Sequence, residues 1–373
     1  MYIATASHLT IMNQLDINSE ISYSTFEVTQ QKSKEIARDI VVHPSKYRLL
    51  TGDRPTGNLH IGHYFGSLKN RVQIQNLGVE TYVVIADYQV LTDRDAFDKI
   101  SEYVYELVLD YLACGLDPDT HKTYIFPHSH IPELNQLLLP FLTLVSNAEL
   151  NRNPTIKEEI SASEQKVINA GMYIYPVHQA ADILFCKSNI VPVGKDQLPH
   201  IELTRTIARR FNAKYQTIFE EPFGLLSDAP MILGLDGAQK MSKSRNNSIA
   251  IKSTADETQK MVKTAKTDSI RLITYDPDNR PEVANLLRIS ALCLETTPEK
   301  IAEEIGESGA KRLKEITTDA LNAHFEPVRQ RRIQLEQDKQ YIQKVLQKGV
   351  AHARDVAENT LMEVRKAMNM KLW

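Results

Sequence analysis

Cysteine is scarce in this chain of 373 residues, and long apolar runs are absent from it. The three cysteines, Cys114, Cys186 and Cys293, lie far apart and form neither a CxxC pair nor a zinc-ligand spacing, which predicts a reducing compartment and no metal site. No apolar run approaches the roughly 20 residues that cross a membrane, and the chain does not open with a basic segment followed by an apolar one. We therefore expect a soluble, cytoplasmic protein without a membrane partner.

Charge of one sign is also lacking. The chain has 44 lysines and arginines against 47 aspartates and glutamates, a formal net charge of -3, so the overall charge gives no independent reason to propose a nucleic-acid partner. Such a partner would need a local basic patch. The candidates are Lys311, Arg312 and Lys314, and Arg329, Arg331 and Arg332. Acidic residues lie beside both clusters, so solvated helix faces explain them equally well.

The pattern of apolar residues predicts an α/β fold with a Rossmann-type, doubly wound parallel sheet. A β-prone run at 47–51 leads into the Gly-rich segment 52–57, and a helix is predicted over 61–75, which is the opening unit of a nucleotide-binding fold. Further strands are predicted at 81–86, 122–126 and 190–193. Because ligands of such sheets bind at the carboxyl ends of the strands, the polar residues that follow them are expected to line the site.

Helices are predicted between these strands and through the last third of the chain. One is amphipathic over 28–41, and another runs over 96–114, with Thr92 or Asp93 as its N-cap and Gly115 at its end. Others are predicted at 137–144, 157–168, 175–185, 338–347 and 350–368. Three units are expected: an N-terminal extension (1–46), a catalytic domain (47–250) and a C-terminal all-helical domain (251–373) whose last helices pack partly back on the catalytic body.

Two short motifs carry the functional signal. His60, Ile61, Gly62 and His63 spell HIGH, and Lys240, Met241, Ser242, Lys243 and Ser244 spell KMSKS. Taken alone, two histidines three residues apart more often form a polar helix face, and a KxxK turn is more often a solvated surface patch. Together and in this order, they resemble the paired signatures of class I aminoacyl-tRNA synthetases, which join an amino-acid carboxylate to the α-phosphate of ATP.

The chemistry of that family explains these residue types. Adenylate formation places negative charge on the α-phosphate and on the departing pyrophosphate, so fixed donors and cations are more useful there than a base. The resemblance makes His60 and His63 donors to the triphosphate, and Lys240 and Lys243 cations that close over it. Gly62 has no Cβ and leaves room for the adenine. The two histidines and two lysines are the catalytic candidates.

The resemblance also implies an ATP site. We expect Mg²⁺ to accompany the nucleotide, although no carboxylate cluster marks a dedicated metal site in the sequence. The candidate ATP-binding residues are Asp53, Arg54, Pro55 and Thr56, Gly62 and His63, Gly194, Lys195 and Asp196 (the last by way of the ribose), Met231, and Lys240, Met241, Ser242, Lys243 and Ser244.

Residues 175–205 resemble the bacterial tryptophanyl members of this family. Asp182 matches the position whose carboxylate accepts the indole N–H, and an acceptor-only group complements a ring that offers a single donor. Tyr175 and Gln197 match residues that hold the α-amino group, and Gln179 and Gln89 match positions of the indole pocket. The resemblance implies tryptophan, ATP and tRNA(Trp) as substrates, an anticodon-binding helical domain and a homodimer.

Four positions depart from the common bacterial form of this family. Arg54 replaces Gln, His63 replaces Asn, Gln89 replaces His and Gln179 replaces Met. The segment 52–57, GDRPTG, is similar to that of auxiliary tryptophanyl enzymes that tolerate tryptophan-mimicking antibiotics. We hypothesise that Arg54 adds a cation near the α-phosphate and, together with Gln89, weakens the binding of indole-containing inhibitors such as indolmycin.

Three other functions stay open at the level of sequence. Tyrosyl enzymes carry a Q-A-x-D helix, which residues 179–182 also satisfy, so this feature alone does not exclude a tyrosine–tRNA ligase. A non-aminoacylating regulatory paralogue is the second, although such a copy would most cheaply lose His60, Lys240 or Lys243, and all three are present. A nucleotidyltransferase that makes a small cofactor is the third, and it would not need the long helical C-terminal part.

Overall fold

The computed structural model describes residues 27–93, 97–162, 168–226, 231–242 and 245–371. Its centre is a five-stranded sheet in the order β3-β2-β1-β4-β5, in which every neighbouring pair is parallel. The strands are β1 (Arg48–Asp53), β2 (Glu80–Ile85), β3 (Thr123–Pro127), β4 (Ile190–Val193) and β5 (Phe223–Leu226). The predicted doubly wound α/β class is therefore confirmed, and β5 is the strand that the sequence pattern missed.

Helices surround the sheet and make up the last part of the chain. They are α1 (27–42), α2 (Ile61–His63), α3 (Lys69–Asn76), α4 (Val90–Asp93), α5 (Ile100–Ala113), α6 (Pro132–Leu142), α7 (Asn147–Arg152), α8 (Pro154–Ala162), α9 (Gly171–Leu184), α10 (Leu198–Lys214), α11 (Ala255–Thr264), α12 (Pro281–Leu294), α13 (Pro298–Ile305), α14 (Gly309–Glu336) and α15 (Lys339–Ala367). A π-helical turn, Tyr64–Leu68, joins α2 to α3. Within the described residues, none of the helices is both long and apolar enough to span a bilayer.

Two expectations about helix ends are wrong. Thr92 and Asp93 do not cap the long helix, because they belong to the separate helix α4, and α5 begins only after a 3₁₀ turn, with Lys99 at its N-cap. Gly115 follows the end of α5 with φ of +110°, as predicted. The C-terminal region forms one helix, α15, instead of the two that were predicted, and it runs straight through Gly349.

A close approach to the sheet explains that glycine. A Cβ on Gly349 would lie 2.0 Å from the carbonyl oxygen of Ile125 in β3, so the position requires glycine for space. Farther along α15, the His352 ring stacks on Tyr124 at 3.5 Å, and the Thr360 hydroxyl donates to the carbonyl oxygen of Phe185. The last helix thus packs against the sheet and α9, while a domain boundary near residue 250 stays a prediction.

The second long helix, α14, is tied to the body by a buried charge network. Arg332 donates to Asp110 of α5 at 2.9 Å and to Glu106 at 2.6 Å. The other oxygen of Asp110 accepts the backbone N–H of Leu59 at 2.9 Å, and Lys252 donates to Glu106. This network joins α14, α5 and the residue that precedes the HIGH motif.

That network corrects one of the two predicted nucleic-acid patches. Arg332 is 4% exposed and Arg329 is 8% exposed, with Arg329 donating to Asn322. Arg331 alone of the three is exposed. Charged side chains in a helical pattern were interpreted as one basic face, but two of them face the protein interior, so residues 329–332 do not form a basic surface.

We predict that Arg332→Ala lowers the free energy of unfolding by about 3–5 kcal/mol, because it leaves the buried carboxylate of Asp110 without its cation. The matched control is Arg331→Ala on the adjacent, exposed position, which should change stability by less than about 0.5 kcal/mol. Urea denaturation followed by circular dichroism measures both values. Equal effects of the two substitutions would contradict this account of the network.

Candidate active site

A cavity of about 330 Å³ opens at the carboxyl ends of β1 and β4. Strand order reverses there, since β1 lies between β2 and β4, and this is where doubly wound sheets bind ligands. The predicted site residues that line the cavity are Asp53, Arg54, Gln89, Tyr175, Gln179, Asp182, Gly194 and Gln197. The structure therefore brings together residues that the sequence assigned separately to a nucleotide and to an amino acid.

Asp182 lies on α9 with its side chain 2% exposed, between two imidazoles. The Nδ1 atom of His128, which follows β3, is 3.2 Å from both carboxylate oxygens. The Nδ1 atom of His178, one turn earlier on α9, is 3.8 Å from the nearer oxygen. Neither histidine was predicted from the sequence. His128 lies outside every motif, and His178 lies within the segment 175–205 but was given no role there.

These three groups are also the set of described side chains that could hold a metal ion, since their ligand atoms lie within 4.8 Å of one another. The backbone N–H of Tyr88 opposes that use. It donates to Nε2 of His128 at 3.0 Å, so in the neutral ring the proton is on Nδ1 and points at Asp182. A ring that presents an N–H to the cluster cannot also present the lone pair that a metal requires.

Tyr175, on the same helix, is 7% exposed, and its hydroxyl lies 3.2 Å from Nε2 of His200. Burial lowers the pKa of His200 to about 4, so this ring is neutral near pH 7 and shares one hydrogen bond with the phenol. His200 also lines the cavity and was missed by the sequence reasoning. The bond from His200 holds the Tyr175 hydroxyl oxygen at the cavity wall.

Asp53 ends β1 and is engaged on both carboxylate oxygens. Arg71 of α3 donates to them at 2.5 and 3.2 Å, and the Tyr111 hydroxyl donates at 2.6 Å. Burial raises the pKa of Asp53, but the charge of Arg71 and these hydrogen bonds outweigh it and lower the value to about 2. Arg71 is itself buried and lines the cavity. Arg71 is thus a second cation of the site, and no sequence motif predicted it.

The HIGH segment starts a helix. His60 is its N-cap in an extended conformation, and its backbone N–H donates to Nδ1 of His63 at 3.2 Å, with the two rings 3.7 Å apart. A Cβ on Gly62 would lie 3.0 Å from the His60 ring. Glycine at position 62 therefore leaves room for the imidazole ring of His60. Neither histidine lines the cavity, in contrast to Ser67 and Arg71 farther along the same helical segment.

The KMSKS segment is described as far as residue 242, and Lys243 and Ser244 lie outside the described residues. The Lys240 side chain is exposed, whereas Met241 is 3% exposed and lies in the apolar cluster that contains Leu59 and Ile61. The backbone N–H of Ser242 donates to the side chain of Asn247 at 2.8 Å. Met241 thus acts as a core residue, and the cation next to it faces solvent.

Backbone hydrogen bonds connect the two motifs. The N–H of Ile61 donates to the carbonyl oxygen of Ile249 at 3.0 Å, and the N–H of Ile251 donates to the carbonyl oxygen of Leu59 at 2.9 Å. His60 and Ala250 form the antiparallel bridge between these bonds. The residues after the KMSKS segment therefore pair with the HIGH segment itself.

The remaining candidates lie outside the cavity lining. Pro55 and Thr56 belong to the turn after β1, where the Thr56 N–H donates to the carbonyl oxygen of Arg54. Lys195 and Asp196 are exposed after β4. Met231 is 63% exposed, and its carbonyl oxygen accepts from Arg288. These positions stay predictions for a nucleotide site that extends beyond the cavity.

Known proteins resemble this chain over most of its length. A family model described as "tRNA synthetases class I (W and Y)" matches residues 44–326. Two relatives named tryptophan–tRNA ligase, from Clostridium longisporum and Treponema pallidum, are 41% and 40% identical, covering 88% and 87% of this chain and 98% and 97% of theirs. The crystal structure of a Campylobacter jejuni tryptophanyl-tRNA synthetase complexed with ADP and tryptophan superimposes with a TM-score of 0.75 at 29% identity, covering 86% of this chain and 99% of that one.

The Asp53–Arg71 pair predicts a pH-dependent contribution to stability. Because the pKa of Asp53 is lowered in the folded state to about 2, this contribution is fully present above the ordinary carboxyl pKa near 4 and is lost as the pH falls through about 2. Asp53→Asn should cost about 3–5 kcal/mol at pH 7, since it leaves the buried Arg71 unpaired. The difference from the wild type should shrink between pH 4 and the lowest pH at which both proteins fold.

The measurement is the urea midpoint of each protein across that pH range. Tyr111→Phe is the matched control, because it removes one hydrogen bond but leaves the ion pair, and it should cost only about 1 kcal/mol. A wild-type advantage that stays constant as the pH falls below 4 would show that Asp53 is not held ionised by Arg71.

Proposed function

This chain belongs to the class I tRNA synthetases of the tryptophan and tyrosine group, and on that premise we propose how its residues carry the reaction. The chain is a tryptophan–tRNA ligase. It joins tryptophan to ATP as tryptophanyl-adenylate with release of pyrophosphate, and then transfers tryptophan to tRNA(Trp). The observation that carries the assignment of roles is the single cavity that holds Asp182 and Tyr175 on one wall and Arg54 and Gly194 on another.

Tryptophan occupies the α9 side of this cavity. The buried carboxylate of Asp182 accepts the indole N–H, and Gln179 and Gln89 complete the pocket around the ring. Tyr175 and Gln197 hold the α-amino group, and the bond to His200 keeps the phenol oxygen in place for this purpose. An acceptor-only group fits an indole better than a phenol, because a phenol also offers an acceptor that a carboxylate cannot satisfy.

ATP binds over the carboxyl ends of β1 and β4. Both oxygens of Asp53 accept hydrogen bonds, from Arg71 and from Tyr111. Asp53 therefore fixes the turn after β1 beneath the nucleotide and does not offer it a free carboxylate. Arg54 places a cation near the α-phosphate. Gly194 and Lys195 contact the nucleotide, and Asp196 contacts its ribose.

The reaction itself needs donors more than a base. A carboxylate oxygen of tryptophan attacks the α-phosphorus, the bond to the bridging oxygen breaks, and the electron pair leaves with pyrophosphate. His60 and His63 donate to the triphosphate, and Lys240 and Lys243 neutralise the leaving group, so that they stabilise the transition state more than bound ATP. In the second step a ribose hydroxyl at the tRNA 3′ end attacks the carbonyl carbon, and AMP leaves.

Mg²⁺ would accompany ATP through the phosphate oxygens. The described group that meets the distances for a metal site, which contains His128 and His178, consists of two imidazoles and one carboxylate, whereas Mg²⁺ prefers oxygen ligands. That cluster does not fit magnesium, and no step of the reaction is assigned to it. The metal would supply charge neutralisation of the phosphates when it is bound.

A basic groove in the helical part is the proposed contact with tRNA. Lys260 and Lys263 of α11 and Lys311, Arg312 and Lys314 of α14 line it. Two acidic residues, Glu315 and Asp319, also line it, and Glu315 pairs with Arg312, so the cations outnumber the acids by five to two. The groove combines one of the two patches expected from the sequence with two further lysines, and it replaces the buried arginines 329 and 332. Clustered cations of this kind suit phosphate contacts, which set affinity rather than sequence specificity.

Two further properties are proposed, one from the family and one from the cysteines. The family is dimeric, and we propose that this chain forms a homodimer. Sedimentation of the purified chain decides whether it is a homodimer. The three cysteines are free, which suits the reducing cytoplasm.

The first test is pyrophosphate exchange with each of the twenty amino acids. We expect exchange with tryptophan alone, and a loss of about 10²–10³-fold in turnover in Lys240→Ala, since a cation aimed at the leaving group is removed. Lys344→Ala, an exposed lysine on α15, is the matched control and should leave exchange unchanged. Exchange with tyrosine would contradict the role of Asp182, and exchange with no amino acid would favour a regulatory paralogue.

A second test concerns inhibitors. Arg54 and Gln89 both line the cavity, and we expect the double substitution Arg54→Gln with Gln89→His to lower the inhibition constant of indolmycin by about tenfold or more, a change worth about 1.4 kcal/mol. The inhibition constant is measured in the exchange assay with tryptophan as the competing substrate. A wild-type enzyme that is already inhibited at ordinary sensitivity would remove this hypothesis.

A further inference from the structure

We propose that His128 is a positioning residue for tryptophan, whose Nδ1–H fixes the Asp182 carboxylate in the orientation that receives the indole N–H. The inference rests on the proposed role of Asp182 and adds the residue that makes this role possible. His128 does not line the cavity, whereas Asp182 does. It therefore acts through Asp182 and is not expected to touch the substrate.

The geometry of the bond comes first. His128 follows β3 directly, is fully buried, and lies 3.2 Å from each oxygen of Asp182. A single N–H shared between both oxygens holds the plane of the carboxylate and leaves lone pairs of both oxygens available. Hydrogen bonds from a fixed donor to a charged acceptor are the stronger kind in proteins.

The position of the proton on His128 does not depend on its charge. In the neutral ring Nε2 accepts the backbone N–H of Tyr88 at 3.0 Å, so the proton must be on Nδ1. In the charged ring Nδ1 is protonated as well, and Nε2 lies 3.4 Å from Asp87. Burial lowers the pKa of His128, but the charges of Asp182 and Asp87 raise it overall. Asp182 therefore meets an N–H in both states.

The neighbouring histidine lacks this property. The Nε2 atom of His178 lies 3.3 Å from the side-chain oxygen of Asn135, so its proton is directed away from Asp182. Burial lowers the pKa of His178, which keeps the ring neutral near pH 7. At 3.8 Å its Nδ1 atom makes no hydrogen bond to the carboxylate. His178 is also a buried neighbour of Asp182 but directs no donor at it, and so provides the matched control.

Without a donor, the Asp182 carboxylate would be free to rotate in its buried site, and its oxygens would not be held where the indole N–H must bind. The bond from His128 excludes this arrangement. It thereby converts an ordinary buried aspartate into a fixed acceptor for a ring with one donor.

Four variants separate this role from a general effect on folding. His128→Asn keeps an amide nitrogen at the position of Nδ1, His128→Gln places it at the position of Nε2, His128→Leu removes the donor, and His178→Leu is the control. We expect His128→Leu and His128→Gln to weaken tryptophan binding by about 10–100-fold, as loss of a hydrogen bond to a charged group does. His128→Asn should recover most of that loss, and His178→Leu should stay within about threefold of the wild type.

Calorimetric titration of tryptophan and of ATP, with thermal unfolding of each variant, provides the readout. The dissociation constant for ATP should stay within about twofold in all four variants. The decisive ligand is the tryptophan analogue with sulfur in place of the indole N–H. Wild-type enzyme should prefer tryptophan to this analogue by at least about tenfold, and in His128→Leu the preference should fall to about that of Asp182→Asn.

Failure of the inference can be told apart from failure of the proposed function. If the wild type binds the two ligands alike, Asp182 does not accept the indole N–H and the proposed role of that residue is wrong. A second outcome is that the wild type prefers tryptophan to the analogue, Asp182→Asn loses this preference and His128→Leu keeps it in full. The proposed role of Asp182 would then be supported, but His128 would not be its positioning residue. The inference would also be overturned if His128→Leu lost affinity for tryptophan and for the analogue by the same factor, or if His128→Asn recovered none of the lost affinity for tryptophan.

Discussion

The buried carboxylate of Asp110 is the constraint on which the placement of the HIGH motif depends. One of its oxygens accepts the N–H of Leu59, and the other accepts Arg332 from α14. Burial raises the pKa of Asp110 in spite of these partners, so the ion pair and the backbone bond support each other. Because the carbonyl oxygen of Leu59 in turn accepts from Ile251, the helical part, α5 and both motif segments meet at one residue.

The same arrangement recurs in the cavity. Asp53 is held by Arg71 and Tyr111, and Asp182 is held by His128. The Asp182 carboxylate is buried and that of Asp53 is partly buried, and each has a donor fixed by a different element of the fold. In the function that we propose, their roles differ, since Asp53 stiffens the turn under the nucleotide and Asp182 presents an acceptor to the indole. Catalysis that relies on preorganised charge needs such fixed partners, because reorientation during the reaction would cost part of the stabilisation.

Patterns within a few residues predicted four of the five strands and the motifs, because apolar runs, glycine turns and the HIGH and KMSKS segments are local signals. What they could not supply is the pairing of distant residues. His128 and Asp182 come together only when β3 and α9 pack, and no local signal gave His128 or His178 a role in the site. Arg332 looked like a surface cation because its burial depends on Asp110 in another helix. Gly349 looked like a helix end, and the close approach to Ile125 that requires it belongs to tertiary packing.

The residues of the KMSKS segment differ in burial because their neighbours differ. Met241 is buried among the residues that flank the HIGH motif, and the Ser242 N–H is held by Asn247, whose amide also donates to Asp236. These contacts anchor the backbone on the carboxyl side of Lys240, while an antiparallel bridge between Leu233 and Lys240 holds the other side. In the reaction that we propose, the exposed Lys240 reaches the triphosphate from this fixed backbone by rotation about its own side-chain bonds. The described part of the motif therefore combines a buried apolar anchor with an exposed cation, and the anchor packs with the residues on either side of His60.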